Sequence, residues 1–217
     1  MGGDLPLSSQ ARRDSFIDPM RVSADPMASQ FQNACRPFAD AALAAFPSGV
    51  RELARKAAQA LATLVDDSYR QGAYRVDVLG EDVNIPYRLH FIADIDGAQD
   101  GSQPSSFARC LISRSTDGHL RQRALRSILA LQDPWIIPFI VFPVGEYVVE
   151  IVEDIQSALP TLHRDAYVNF VRENRATMTL LRARATSYWD SYYRRAYPDR
   201  RDYPGMAVLN ELERWAG

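Results

Sequence analysis

From Tyr74 to Phe91 apolar residues fall at every second position, and this short stretch constrains the chain more than any other. Tyr74, Val76 and Val78 alternate with Arg75 and Asp77. After Gly80-Glu81-Asp82 the alternation resumes as Val83, Ile85, Tyr87, Leu89 and Phe91. Strand side chains point to opposite faces in turn, so the pattern predicts two half-buried strands joined as a hairpin. Pro86 cannot donate to a ladder, which makes the second strand an edge or gives it a bulge there.

On either side of this stretch the apolar spacing is helical. Val50, Leu53, Ala57, Leu61 and Leu64 form a stripe at intervals of three and four, with Ser48 placed to cap its start and Gly72 its end. An Ala-rich segment from Ser29 to Phe46, interrupted by Pro37, precedes it. The run Phe107 to Ile112 fits strand or helix. Leu120, Ala124, Ile128 and Leu131 then share a helical face, with Arg121, Gln122 and Arg126 mainly outside it, and Asp133-Pro134 stops that helix. Trp135 to Phe142 is apolar all round, so its period does not type it. Val148, Ile151, Val152, Ile155 and Leu159 give a further stripe. Two helices are expected from His163 to about Tyr197, broken at Asn174, the second burying Met178, Leu181, Ala185, Tyr188 and Tyr192. A last helix starts at Pro204, which suits a first turn, and runs through Val208, Leu209, Leu212 and Trp215. The expected fold is mostly α with minor β. It comprises a tail (1–28) and a single helical domain (29–217), with the hairpin at about 73–92 and C-terminal helices at 163–216.

Composition narrows the function classes. A formal net charge of −2 supplies no global basic excess for bulk nucleic-acid binding. Lys56 is the only lysine, an arginine bias that points first to genome composition. Cys35 and Cys110 make neither a disulfide framework nor a zinc motif, so a reducing, cytoplasmic setting is the expectation. The first residues lack the apolar core of a signal peptide, and Pro6 sits where a myristoylation motif wants Ser or Thr. The longest apolar stretch, Trp135 to Val144, is far short of the roughly 20 residues a membrane span requires.

Residues 117–159, DGHLRQRALRSILALQDPWIIPFIVFPVGEYVVEIVEDIQSAL, resemble a HEAT repeat followed by the first helix of the next. The matching features are Asp117-Gly118, the Arg121/Ala124/Leu125 pattern, Asp133-Pro134 at the turn and Ile137-Pro138-Phe139-Ile140 opening the second helix. The resemblance implies a helical Trp135–Phe142 run and a short HEAT-like stack, capped by the hairpin and the C-terminal helices. Such stacks commonly serve as binding surfaces.

Several groups could carry chemistry. Glu146, Glu150, Glu153 and Asp154 line one side of the helix after Gly145. They read as a solvated face, as an acidic surface for a basic partner, or as metal or acid–base carboxylates lacking further ligands. Asp94, Asp96 and Asp100 do not have EF-hand spacing. His90, His119 and His163 show no metal-like spacing, so neither metal nor cofactor is expected. Cys110 and His119 are close in sequence, but a lone cysteine in an apolar run reads as core before nucleophile. Residues 182–205 interleave Arg182, Arg184, Arg194, Arg195, Arg200 and Arg201 with six aromatic residues, types enriched at interface hot spots and able to stack on bases. Within it, Trp189 and Tyr193 lie at the edge of the buried stripe, Arg194 opposite it with Asp190 one turn earlier, and Arg195 beside them. Charge is also segregated. Asp66 to Gly101 holds eight acids and three arginines, whereas Arg164 to Tyr203 holds nine arginines and five acids.

No phosphate-binding loop, nucleophile elbow or metalloprotease motif occurs. The favoured reading is therefore a non-catalytic helical protein that binds another protein. A bacterial toxin-neutralising (immunity) protein is one concrete form. The candidate contacts are Glu146, Glu150, Glu153, Asp154, Trp189, Tyr193, Arg194 and Arg195. Nucleic-acid binding through 182–205 and an enzyme of unrecognised type are the alternatives; a membrane role is not expected.

Overall fold

A computed structural model describes residues 31–32, 38–66, 72–92 and 105–217. The expectations for the 1–28 tail, Cys35, Pro37 and the loop carrying Asp94, Asp96 and Asp100 fall outside the described residues. Among those described, the protein is mostly helical with a small antiparallel sheet. The order is β1 (Phe31–Gln32), α1 (Phe38–Leu43), α2 (Ser48–Ala62), β2 (Ala73–Val78), β3 (Glu81–Pro86), α3 (Ser106–Ile112), α4 (Gly118–Ile128), α5 (Ile137–Val141), α6 (Val149–Ala158), α7 (Arg164–Glu173), α8 (Arg175–Tyr188) and α9 (Pro204–Ala216). The expected hairpin is β2–β3, with Val76 opposite Val83 and Val78 opposite Glu81. Its two-residue turn is Leu79-Gly80, both at positive φ (59° and 79°), the geometry whose twist matches that of paired strands. β1 pairs with the other edge of β2.

The ladder stops at Pro86, not at Phe91 as the alternation suggests. Beyond Pro86 the chain turns towards the α3–α4 junction, where the Leu89 amide donates to the Arg114 carbonyl and the Thr116 amide to that of Leu89. The Arg114 side chain takes the Pro86 and Tyr87 carbonyls, at 2.9 and 2.8 Å. Alternation persists because one face stays buried, although the pairing partner has changed.

Helix ends show similar local substitutions. α2 begins at Ser48, with Pro47 before it. Glu81 from the hairpin accepts from both the Ser48 amide and hydroxyl, at 2.8 and 2.7 Å. The α2 core face is Ala54, Ala57, Ala58 and Leu61, while Leu53 is 68% exposed, contrary to the stripe read from spacing. Gly72 (φ 88°) precedes β2, whereas α2 has already ended at Ala62. Asp117 caps α4, accepting from the His119 and Leu120 amides. Asn174 forms the α7–α8 break and bonds Asp77 of β2 through both ends of its amide, which fastens the helical layer to the sheet.

The core is continuous across these elements. α1 packs on α2, α2 on α3, α3 on α4, α4 on α6, and α6 with α7 and α8 on α9. Phe46 stacks on Phe139 and meets Phe107 and Trp135 edge-on, all with ring centroids within 5.5 Å. Fully burying such a ring contributes about 1.5–3 kcal/mol. Trp135 to Phe142 is helical, passing from a 3-10 turn into α5 and into a second 3-10 turn, Phe142–Gly145. α8 crosses that second turn closely: a Cβ on Gly145 would stand 2.7 Å from Leu181 Cδ2 and 3.3 Å from its Cα. The close approach brings the next residue, Glu146, into the interior.

Candidate functional site: a tyrosine-rich face beside a buried arginine cluster

Glu146 is the correction with the largest consequences. It precedes α6 instead of lying on the helix's solvent face, and it is only 2% exposed. Three guanidiniums surround it: Arg88 at 2.9 Å, Arg114 at 3.0 Å and Arg121 at 3.1 Å. Each is fixed by its own element. Arg88 follows the end of β3 and donates to the Tyr87 carbonyl, and Arg114 sits at the α3–α4 junction. Arg121 projects from the first turns of α4 and donates to the Ser115 carbonyl at 2.6 Å. The glutamate's burial would raise its pKa, but the three cations overcome this and hold the carboxyl well below the ordinary range. Arg88 is raised by its pairing with Glu146, but the other two arginines feel the opposite balance. Burial pushes Arg114 down to about 10 and also lowers Arg121, despite Glu146.

A fourth guanidinium adjoins this cluster. Arg184 of α8 donates to the Gly145 carbonyl at 2.9 Å and to the hydroxyls of Tyr74 and Tyr87, both at 3.2 Å. Arg88 and Arg184 lie over the Tyr87 ring, at 5.0 and 5.5 Å from its centroid. Burial pushes the Tyr74 phenol up to about 12, so it stays neutral and serves Arg184 as an acceptor without adding charge. Residues 145–147 therefore organise the centre: a carbonyl for Arg184, a carboxylate for three arginines, and then Tyr147, which turns outward.

Tyr147 begins a surface strip of phenols. Its ring lies 6.2 Å from that of Tyr188, which lies 6.4 Å from that of Tyr192. Tyr193 donates its hydroxyl to the Tyr147 carbonyl at 2.5 Å, and Tyr197 donates to Glu153 at 3.0 Å. Burial, with Glu150 nearby, pushes the Tyr193 phenol up to about 12. Helical spacing places Tyr192 in the core with Tyr188, yet it is 44% exposed, and Tyr147 is 37% exposed. The cause is a π-helical turn, Trp189–Tyr193, at the end of α8. One extra residue in the turn rotates Tyr192 outward and brings Tyr193 against Tyr203, at 5.3 Å.

The structure brings together part of the predicted set. Glu150 and Glu153, both exposed on α6, stand beside Tyr193 and Tyr197. Trp189 is half-buried, donates to the Tyr197 carbonyl and carries Arg194 over its ring at 4.9 Å. Arg194 pairs with Asp190 one turn back, and Arg195 is exposed beside it. Asp154 belongs elsewhere, bound by Arg126 and Gln122 of α4. Within the Arg/Tyr segment, Arg182 is paired with Glu213, Arg201 with Asp199, and Arg184 is buried. Cys110 is fully buried and its thiol pKa is pushed well up by desolvation, whereas His119 is exposed. His90 bonds Thr116 at 3.0 Å. Among the described residues no group of His, Cys, Asp or Glu could hold a metal, and no helix is long and apolar enough to cross a membrane.

Sequence reasoning missed Arg88, Arg114, Arg121, Arg184 and Tyr147 as a group. A signal did exist for two of them. Arg121, read from spacing as mainly outside the apolar face, is instead buried on it, three, four and seven residues before Ala124, Leu125 and Ile128, and Arg184 is one turn before Tyr188. A charge at helical spacing on an apolar stripe implies a buried ion with partners. No family model, curated protein or solved structure matches this chain.

Proposed function

We propose that this chain is a non-catalytic binding module whose partner is another protein bearing a basic segment. The docking face is the strip of Tyr147, Tyr192 and Tyr193 with Glu150 and Glu153, flanked by Trp189, Arg194 and Arg195. The observation that carries the reading is the outward rotation of Tyr192 by the π turn. It leaves two large rings exposed next to two exposed carboxylates, on an otherwise packed cluster. Tyrosine, tryptophan and arginine dominate interface energetics, and rings beside carboxylates suit an arginine or lysine side chain. Toxin neutralisation is one concrete role such a module performs. The nucleic-acid reading has less support, because much of the Arg/Tyr segment's charge is already matched by Glu213, Asp190 and Asp199.

The test is affinity capture with the wild-type chain, a Tyr147→Ala/Tyr192→Ala variant, a Glu150→Gln/Glu153→Gln variant and a distant Arg214→Ala control. A stoichiometric protein held by wild type and control, and lost from both face variants, supports the reading. Equal capture by all four, or recovery of nucleic acid alone, overturns it. A hot-spot loss of about 2 kcal/mol per tyrosine corresponds to a roughly 30-fold weaker Kd.

A further inference from the structure

The arginine cluster around Glu146 carries more positive charge than its own acid neutralises. Arg88, Arg114 and Arg121 contribute three charges against one, a surplus of two before Arg184 is counted. Backbone carbonyls accept from Arg114 and Arg121 without adding negative charge, so the surplus stands, and each buried ion costs several kcal/mol in desolvation. Two features give the surplus a direction. Arg121 is 0% exposed, and no acceptor meets hydrogen-bond geometry at its Nη2, although the Tyr147 phenol lies beside it. The hydrogen bonds of Arg88 run through Nη1, to Glu146 and to the Tyr87 carbonyl. Its Nε–Nη2 edge is thus left for another acceptor, and its side chain keeps 10% of its surface at the rim.

We propose that this rim, formed by Arg88, Arg121, Arg184, Tyr87 and Tyr147, binds the oxyanion group of a small ligand, a phosphate or a carboxylate. The guanidinium edge of Arg88 offers the fork that such groups accept in pairs of parallel bonds. The Tyr87 ring lies against the Arg88 guanidinium, and the Tyr147 phenol stands beside Arg121. Glu146 fixes the spacing of the arginines and keeps the site from repelling itself apart, while leaving it net positive. The site is separate from the acidic side of the tyrosine strip but shares Tyr147 with it.

The test is a thermal-shift titration of the full chain with inorganic phosphate and, in a second arm, acetate, at ionic strength held constant with sodium chloride. The site predicts a saturable rise in Tm with at least one of the two. A response to both assigns the carboxylate-sized group common to them; a response to phosphate alone assigns a phosphoryl ligand. Arg88→Gln should raise the half-saturating concentration at least ten-fold. Tyr147→Phe, a change at an exposed ring that preserves the fold if Arg88→Gln does not, should raise it several-fold. No rise beyond the chloride control, or titrations superimposable on wild type in both variants, overturns the proposal.

Discussion

Replacing Glu146 by Gln removes one charge and little volume, yet the geometry makes it among the most damaging single changes available. Three guanidiniums lie within 3.1 Å of that carboxylate, and Arg114 and Arg121 have almost no contact with solvent. Breaking a buried ion pair by neutralising one partner costs about 3–5 kcal/mol, because the opposite charge is left uncompensated. Here that penalty falls on a domain whose total stability is on the order of 5–15 kcal/mol. Urea unfolding at pH 7 reads it directly. With a slope of about 2 kcal/mol per M, the midpoint should fall by about 1.5–2.5 M at unchanged slope. The pH dependence supplies an independent sign. The folded carboxyl is held well below its unfolded value, so its contribution is fully present above the unfolded pKa of about 4.3 and is lost as pH falls through the folded one. Below pH ~4.3 the unfolded chain takes up a proton that the native state does not, and wild-type stability should drop by about 1.4 kcal/mol per pH unit from this group. The Gln variant should lack that component. A midpoint shift below about 0.5 M, or parallel acid profiles for the two proteins, would refute the reasoning that Glu146 is the charge on which the cluster depends.

The hairpin turn offers a stabilising change. Leu79 is 64% exposed at φ 59°, so Leu79→Asn should gain about 0.5–1 kcal/mol and raise Tm, and a loss would show that the leucine makes contacts of value. Gly145→Ala forces a Cβ to within 3.3 Å of the Leu181 backbone and should cost about 1–3 kcal/mol in denaturant unfolding, with no loss if α8 can slide away. In a Cys35→Ser background, Cys110 should resist iodoacetamide at pH 8 in the folded protein and react fully in urea. Rapid native labelling would revive the thiol-nucleophile reading.

Legibility in the sequence followed periodicity. The pairing of two strands as a hairpin, the α7–α8 break at Asn174 and the start of α9 at Pro204 each rest on a rule acting within a few residues, and each is where spacing or capping placed it. Expectations failed where distant chain intervened. Arg114, from 28 residues away, takes the Pro86 carbonyl and ends the strand, and Glu81, from 33 residues away, supplies the α2 cap. Tyr192 departs for a subtler reason: a regular 3.6-residue register does not carry through a π turn, and one added residue exchanges the roles of Tyr192 and Tyr193. The acidic face failed at its first member because the helix starts at Val149, three residues after Glu146, so that residue never had the helix's phase. Glu150 and Glu153 do have that phase and lie beside the tyrosines, which no spacing rule could foresee since 44 residues separate Glu153 from Tyr197. The arginine cluster draws on four separate segments. Only its two helical members, Arg121 and Arg184, left a trace in the pattern, as charges lying where the stripe calls for apolar groups. Such misplaced charges are the feature worth seeking in a sequence, because a buried ion must have partners even when the sequence does not say which.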